Sequence, residues 1–258
     1  MVIPVTEFEG PQPLRRALID LDVLRRNAHV LVGEDSGSRR VVADLRADAY
    51  GHGAASVAAI LGDAGVDALV VSRPDDAAQL ADAGIDMPVI TLRGPVGAHS
   101  ELREAFLLGP ELFGLDSETV PDPAGRGLVP SMTLEATILA TKRVGGGEGV
   151  SYGYVYTTRS DTTLAMVSLG YSDGIDRHAC DGGVVWLHSA LHPIAGRVAM
   201  DVFMIDVGDA PVQIGETAVL FGDPAHGHPS PSEWARALHK TGAEVTSTLG
   251  DRIIRSYR

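Results

Sequence analysis

Val42-Ala43-Asp44-Leu45-Arg46-Ala47-Asp48-Ala49-Tyr50-Gly51-His52-Gly53 is the stretch on which the reading of this chain turns. Val41 and Val42 open it, and Val41–Leu45 has the short apolar make-up of a buried strand. Two glycines follow, and Tyr50-Gly51-His52-Gly53 reads as the start of a helix, where backbone N–H groups can hold an anion. That helix runs over Ala54–Gly65, with Val57, Ile60 and Leu61 inward and Gly65 as its C-cap. A strand, a glycine turn and a helix make one β/α unit.

The same unit repeats on both sides. Upstream, Ala17–Ile19 reads as a strand, and Asp20 caps a helix whose apolar face is Leu21, Leu24, Ala28 and Leu31, ending at Gly33. Downstream come a strand at Ala68–Ser72, a helix from Pro74 to Ala83, and a strand at Val89–Leu92. Alternation of this kind predicts a parallel sheet. Beyond Leu92 it weakens, to a short helix at Glu101–Leu107 and a strand at Leu112–Asp116. Ser117–Pro130 carries Pro121, Pro123 and Pro130 with Gly125 and Gly127, the composition of a linker. From Ser131 the chain reads as β-rich. Strands are expected at 133–141, 163–169, 184–187, 194–198, 202–207 and 217–221, with a helix at Ser232–His239. The expected organisation is an N-terminal domain over 12–118, a linker over 119–130 and a C-terminal domain over 131–258.

Composition narrows the function classes. The 258 residues carry a formal net charge of −13. That argues against nucleic acid or an anionic membrane surface as partner. A single cysteine, Cys180, forms no internal disulfide and suits a reducing, cytoplasmic compartment. Charges at Glu7, Glu9, Arg15 and Arg16 leave no signal-peptide core, and no apolar run is long enough to span a membrane. His178, Cys180 and Asp181, and the pair His226 and His228, lack zinc-site spacing and read as surface loops.

Four short motifs stand in order along the chain. The first is the opening stretch, Arg46-Ala-Asp-Ala-Tyr50-Gly-His-Gly53. It is followed by Gly149-Val-Ser-Tyr152-Gly153, Gly170-Tyr171-Ser-Asp173-Gly174 and Gly196-Arg-Val-Ala-Met200-Asp201. Together they resemble the alanine racemase family, in which the first motif usually reads Val-Val-Lys-Ala-(Asn/Asp)-Ala-Tyr-Gly-His-Gly. The resemblance extends over nearly the whole chain. It implies a β/α barrel followed by a β domain, with pyridoxal phosphate as cofactor and a dimer as the working unit. In such a dimer, each site joins the barrel of one subunit to the second domain of the other.

The departures matter as much. Arg46 stands where the family has the lysine that forms a Schiff base. A guanidinium keeps its proton throughout accessible pH and is no nucleophile. Gln12 to Asp116 is 105 residues, whereas a closed eightfold barrel usually takes roughly 250. The expectation is therefore an α/β chain: a truncated, open, barrel-derived N-terminal domain, then a mostly β C-terminal domain. The resemblance also places Leu107 near the family arginine that faces the pyridine nitrogen, and Asp251 near a phosphate-contacting tyrosine.

By the same resemblance, Tyr152 matches the family's catalytic tyrosine, and Arg46 replaces its lysine. Tyr50, His52, Tyr171, Asp173 and Met200 are the candidate ligand contacts. Structural alternatives are packing or a turn at a domain seam for Tyr152, packing for Met200, turn formation for Tyr171 and Asp173, and pairing with Asp44 or Asp48 for Arg46. The sequence thus leads to an alanine-racemase-like protein that lacks racemase activity, a pseudoenzyme or small-anion-binding dimer without covalent cofactor. Two alternatives stay open. One is an accessory subunit that gives its C-terminal domain to an intact racemase in a mixed dimer. The other is an enzyme that reuses Tyr152, without pyridoxal phosphate or as a weak racemase.

Overall fold

The computed structural model describes residues 14–34, 39–92, 99, 102–117 and 120–258. The expected N-terminal domain limits, 12 and 118, and the first linker position, 119, lie outside them. The chain forms two compact units, one of 1–18, 133–240 and 248–256, the other of 19–132, 241–247 and 257–258.

The second of these is the α/β unit. Its sheet has the strand order β4-β3-β2-β5, with β2 Val41–Asp44, β3 Ala68–Val71, β4 Val89–Thr91 and β5 Phe106–Leu108. All three pairings are parallel. The sheet is open, with no barrel closure among the described residues. Helices at Leu21–Glu34, Ala54–Leu61 and Pro74–Asp82 match the expected periodicity. Asp20 caps the first through a 2.9 Å bond from Val23 N.

One face of this sheet carries an apolar cluster. Val42, Ala68 and Val70 form an apolar cluster with Leu92 and Leu102, and Ala105 packs against it. Side chains alternate along a strand, so Val41, Ala43, Leu69 and Val71 face the other side. Leu92, Leu102 and Ala105 therefore cover the sheet face opposite to these four.

Three expected elements differ. Phe106–Leu108 is a strand rather than the end of a helix over Glu101–Leu107, because Val41–Ala43 offers an edge on which this apolar triplet pairs. Glu101 itself lies outside the described residues. Leu112–Asp116 is not a strand: Pro110–Phe113 forms a 3₁₀ turn that buries Leu112 and Phe113. Gly114 ends it at φ 71°, where a side chain would collide with the Val129 carbonyl. The helix expected over Ala54–Gly65 starts at Ala54 and ends earlier, at Leu61, with Gly62 rather than Gly65 as its C-cap.

The other unit is β-rich. An eight-stranded sheet runs in the order β11-β10-β13-β6-β1-β14, with β9 pairing both β6 and β12. The strands are β1 Arg15–Ile19, β6 Met132–Val144, β9 Thr162–Val167, β10 Val184–Leu187, β11 Ala190–Pro193, β12 Phe203–Gly208, β13 Thr217–Phe221 and β14 Ile254–Tyr257. A short hairpin joins β7 Gly149–Val150 to β8 Tyr156–Thr157. Strand β6 serves two neighbours, β13 along its first half and β9 along its second, with a register shift between Ile138 and Ala140. The strand expected at 194–198 is absent. Ile194 makes only an isolated bridge to Ile205, and Gly196 at φ 81° bends the chain away. A helix at Pro231–Arg236 buries Trp234, whose indole N–H donates to Val184 O at 2.9 Å.

Candidate functional site

Ala47, Asp48, Ala49 and Tyr50 all have φ between 51° and 54°, a left-handed turn made without glycine. Each non-glycine residue so placed costs about 1–2 kcal/mol. Several bonds hold the turn. Ala49 N donates to Leu45 O at 3.0 Å and Gly53 N to Asp48 O at 3.0 Å. The buried ring of His52 lies on Phe113, centroids 4.5 Å apart, with Nδ1 3.0 Å from both the Ala49 and Tyr50 carbonyls. Those carbonyls only accept, so Nδ1 carries the proton. Gly51 packs so closely on Thr246 that any side chain there would strike its carbonyl.

The left-handed path leads directly into the helix Ala54–Leu61. Asp48 Oδ1 accepts the first helical N–H, that of Ala54, at 2.7 Å. That N–H is satisfied by the protein itself.

At the end of β2, Asp44 is 2% exposed and receives every polar group that converges there. Arg46 clamps it with two nitrogens, Nε to Oδ1 at 2.8 Å and Nη2 to Oδ2 at 2.6 Å, and adds its backbone N–H at 3.1 Å. The Tyr50 hydroxyl donates to Oδ2 at 2.9 Å. Hydrogen bonding to Asp44 holds the Arg46 guanidinium even further above its ordinary range. Burial, then the Asp44 charge, pushes the Tyr50 phenol well above its usual value. Both shifts favour the protonated, hydrogen-bond-donating forms.

The remaining three motifs meet in the β-rich unit. Tyr152–Tyr154 is a 3₁₀ turn flanked by backbone strain at Ser151, φ 60°, and at Tyr154, φ 47°. The Ser151 hydroxyl donates to Arg197 O at 2.6 Å. Tyr171 N donates to Ala199 O at 3.0 Å and Ser172 N to Met200 O at 3.1 Å. The 196–201 segment thus lies against both tyrosine turns. Tyr152 is 63% exposed, Met200 55% and Tyr171 41%. Core packing, the structural alternative for Tyr152 and Met200, is not what these side chains do.

Asp173 is the fixed point beneath this surface. It is fully buried, accepts Gly170 N at 2.8 Å, and pairs with Arg15 Nε at 3.2 Å and Arg252 Nη2 at 2.9 Å. Arg252 also reaches Asp201 at 2.6 Å. Of the other positions singled out, Leu107 lies in β5 against the apolar cluster and Asp251 in an exposed turn. Sequence reasoning missed Arg15 and Arg252, for nothing local marks residues that reach one carboxylate from opposite ends of the chain. It noted Asp44 as a partner for Arg46 but not as the centre of the site.

An open parallel β/α unit, a β-rich unit and these four motifs define a barrel-derived class of two-part chains. Residues 19–108 match the alanine racemase N-terminal domain, and residues 131–257 match "Alanine racemase, C-terminal domain". The chain belongs to the alanine racemase family. It is 43% identical to the alanine racemase of Streptomyces coelicolor over 150 residues, 58% of this chain and 38% of that relative. With the alanine racemase of Thermobifida fusca it shares 35% identity over 254 residues, 90% of this chain and 67% of the relative. The crystal structure of alanine racemase from D-cycloserine producing Streptomyces lavendulae superposes with a TM-score of 0.86 at 25% identity, covering 96% of this chain and 98% of that one. The chain thus spans well under half the length of the Streptomyces coelicolor relative in their match. Among the described residues, no helix is long and apolar enough to cross a membrane.

Proposed function

We propose that this chain is a non-racemising member of its family that recognises a small anion without a covalent bond to pyridoxal phosphate. One observation carries the reading: at the lysine position stands Arg46, a protonated guanidinium held in two places by Asp44. Imine formation needs a neutral amine, which this residue cannot become. The Tyr50 hydroxyl is likewise given to Asp44. The residues at this place do not fit a covalently attached cofactor. What they do offer is a cationic edge and a phenol, a donor set suited to carboxylate or phosphate oxygens.

The test is to incubate the chain with pyridoxal phosphate, reduce with borohydride, and map adducts by peptide mass. The expected result is no adduct on the peptide carrying Arg46 and no cofactor band surviving desalting. A reducible, site-specific adduct anywhere in the chain that supports alanine racemisation would overturn the reading.

The exposed Tyr152, Tyr154, Tyr171 and Met200 favour a partner surface over the β-rich unit. A second copy is the simplest partner, and an intact racemase in a mixed dimer is the other. Light scattering of the pure chain, and co-purification with a full-length racemase, separate the two. In the mixed case, Tyr152→Phe lowers the partner's activity. A monomer that captures no racemase at micromolar concentration removes both.

A further inference from the structure

A carboxylate at the end of a strand whose four residues are all buried is costly unless its charge is met. Asp44 is met completely, by a guanidinium edge, a phenol hydroxyl and a backbone N–H. That is the donor set a soluble carboxylate or phosphate monoester would need, and the protein's own side chain uses it up.

The backbone that carries these donors is held by contacts other than Asp44. Tyr50 sits inside the left-handed turn and Arg46 directly before it. The turn is fixed by the His52 ring, the close Gly51–Thr246 approach and its own backbone bonds rather than by Asp44 alone. Arg46 remains 39% exposed, so solutes reach the guanidinium although its partner is buried.

From this geometry we infer that Asp44 is an internal anion that masks an anion-binding site built from Arg46 and Tyr50. The ligand class is an oxyanion presenting two oxygens to one guanidinium, as a carboxylate or a phosphate monoester does. A ligand enters by displacing Asp44, so the resting chain binds it weakly. This inference rests on the reading that the Arg46 position recognises an anion non-covalently.

The experiment compares the full chain with Asp44→Asn and with Asp44→Asn/Arg46→Gln by calorimetry, using inorganic phosphate, acetate and pyridoxal phosphate as separate probes. Unmasking is expected to tighten binding of at least one probe by about tenfold or more, and the added Arg46→Gln to cancel the gain. Phosphate against acetate tells the two ligand sources apart. Equal affinity in the wild type and a folded Asp44→Asn for all three probes overturns the masking. Should Asp44→Asn fail to fold, the wild type decides. Its Arg46 side-chain N–H resonance is expected to move as phosphate is raised, and an unmoved resonance overturns the proposal. Tight, reversible binding by the wild type with no gain on unmasking leaves the functional reading standing and removes only the mask. A covalent, racemising wild type removes the functional reading itself.

Discussion

Asp44 and Arg46 are separated by one residue, yet they close a two-point ion pair in which the carboxylate is buried and the guanidinium half-exposed. Leu45, at φ −109° and ψ 21°, turns the chain out of β2 just before Arg46, and the left-handed turn that follows returns the Tyr50 hydroxyl to the same carboxylate. Removing one partner of such a pair strands the other. Arg46→Met is expected to destabilise the chain by about 1–3 kcal/mol, the cost of a buried acceptor left without its donors. Urea unfolding of the two proteins measures it. An unchanged midpoint would mean Asp44 does not need its cation.

The left-handed turn reverses the usual effect of glycine. Ala47 is exposed with φ 51°, whereas Ala59 is exposed within the right-handed helix Ala54–Leu61. Ala59→Gly is expected to cost about 1 kcal/mol. Ala47→Gly is expected to leave stability unchanged or raise it by up to about 1 kcal/mol, since glycine adopts this conformation without strain. Equal losses in both variants would show that the turn is not left-handed in solution.

Asp173 supports the surface that carries Tyr171 and Met200. Its charge faces two arginines in a fully buried position, so Asp173→Ala leaves Arg15 with only its 3.3 Å bond to the Asp201 carbonyl and removes the acceptor of Gly170 N. The expected loss is about 3 kcal/mol or more, read from thermal or urea unfolding. A loss within the error of measurement would contradict the role assigned to it.

Tyr156 gives a pH signature at the alkaline end. Burial first, and then its 2.7 Å bond to Asp206, push the phenol up to about 12. A folded-state value above the unfolded one of about 10 means stability is fully present below pH 10 and falls as pH rises toward 12. Tyr156→Phe is expected to flatten that part of the decline in melting temperature. The same slope in both proteins would assign the decline to other groups.

The fold was legible where periodicity was strong. The helices at Leu21–Glu34, Ala54–Leu61 and Pro74–Asp82 and the strands β2, β3 and β4 follow from local apolar spacing and caps. It was illegible where a long-range partner decides. Phe106–Leu108 becomes a strand because Val41–Ala43 pairs with it, and Ile194 leaves the sheet because Gly196 turns. For the site, the motifs located Arg46, Tyr50, Tyr152 and Tyr171. No spacing rule foretells four consecutive left-handed residues without glycine, for their strain is offset by tertiary contacts at Phe113 and Thr246. Met200 reads as core before an apolar strand, yet it is exposed because its backbone carbonyl is held by Ser172.

The most direct test of the account is alanine racemisation by the purified chain. It would be incubated with saturating pyridoxal phosphate and one alanine enantiomer, and the product followed by chiral chromatography against cofactor alone. Interconversion no faster than in the protein-free control is expected, because Arg46 supplies no amine and keeps its own proton while donating to Asp44. Turnover at an enzymatic rate that is lost in Tyr152→Phe would contradict it.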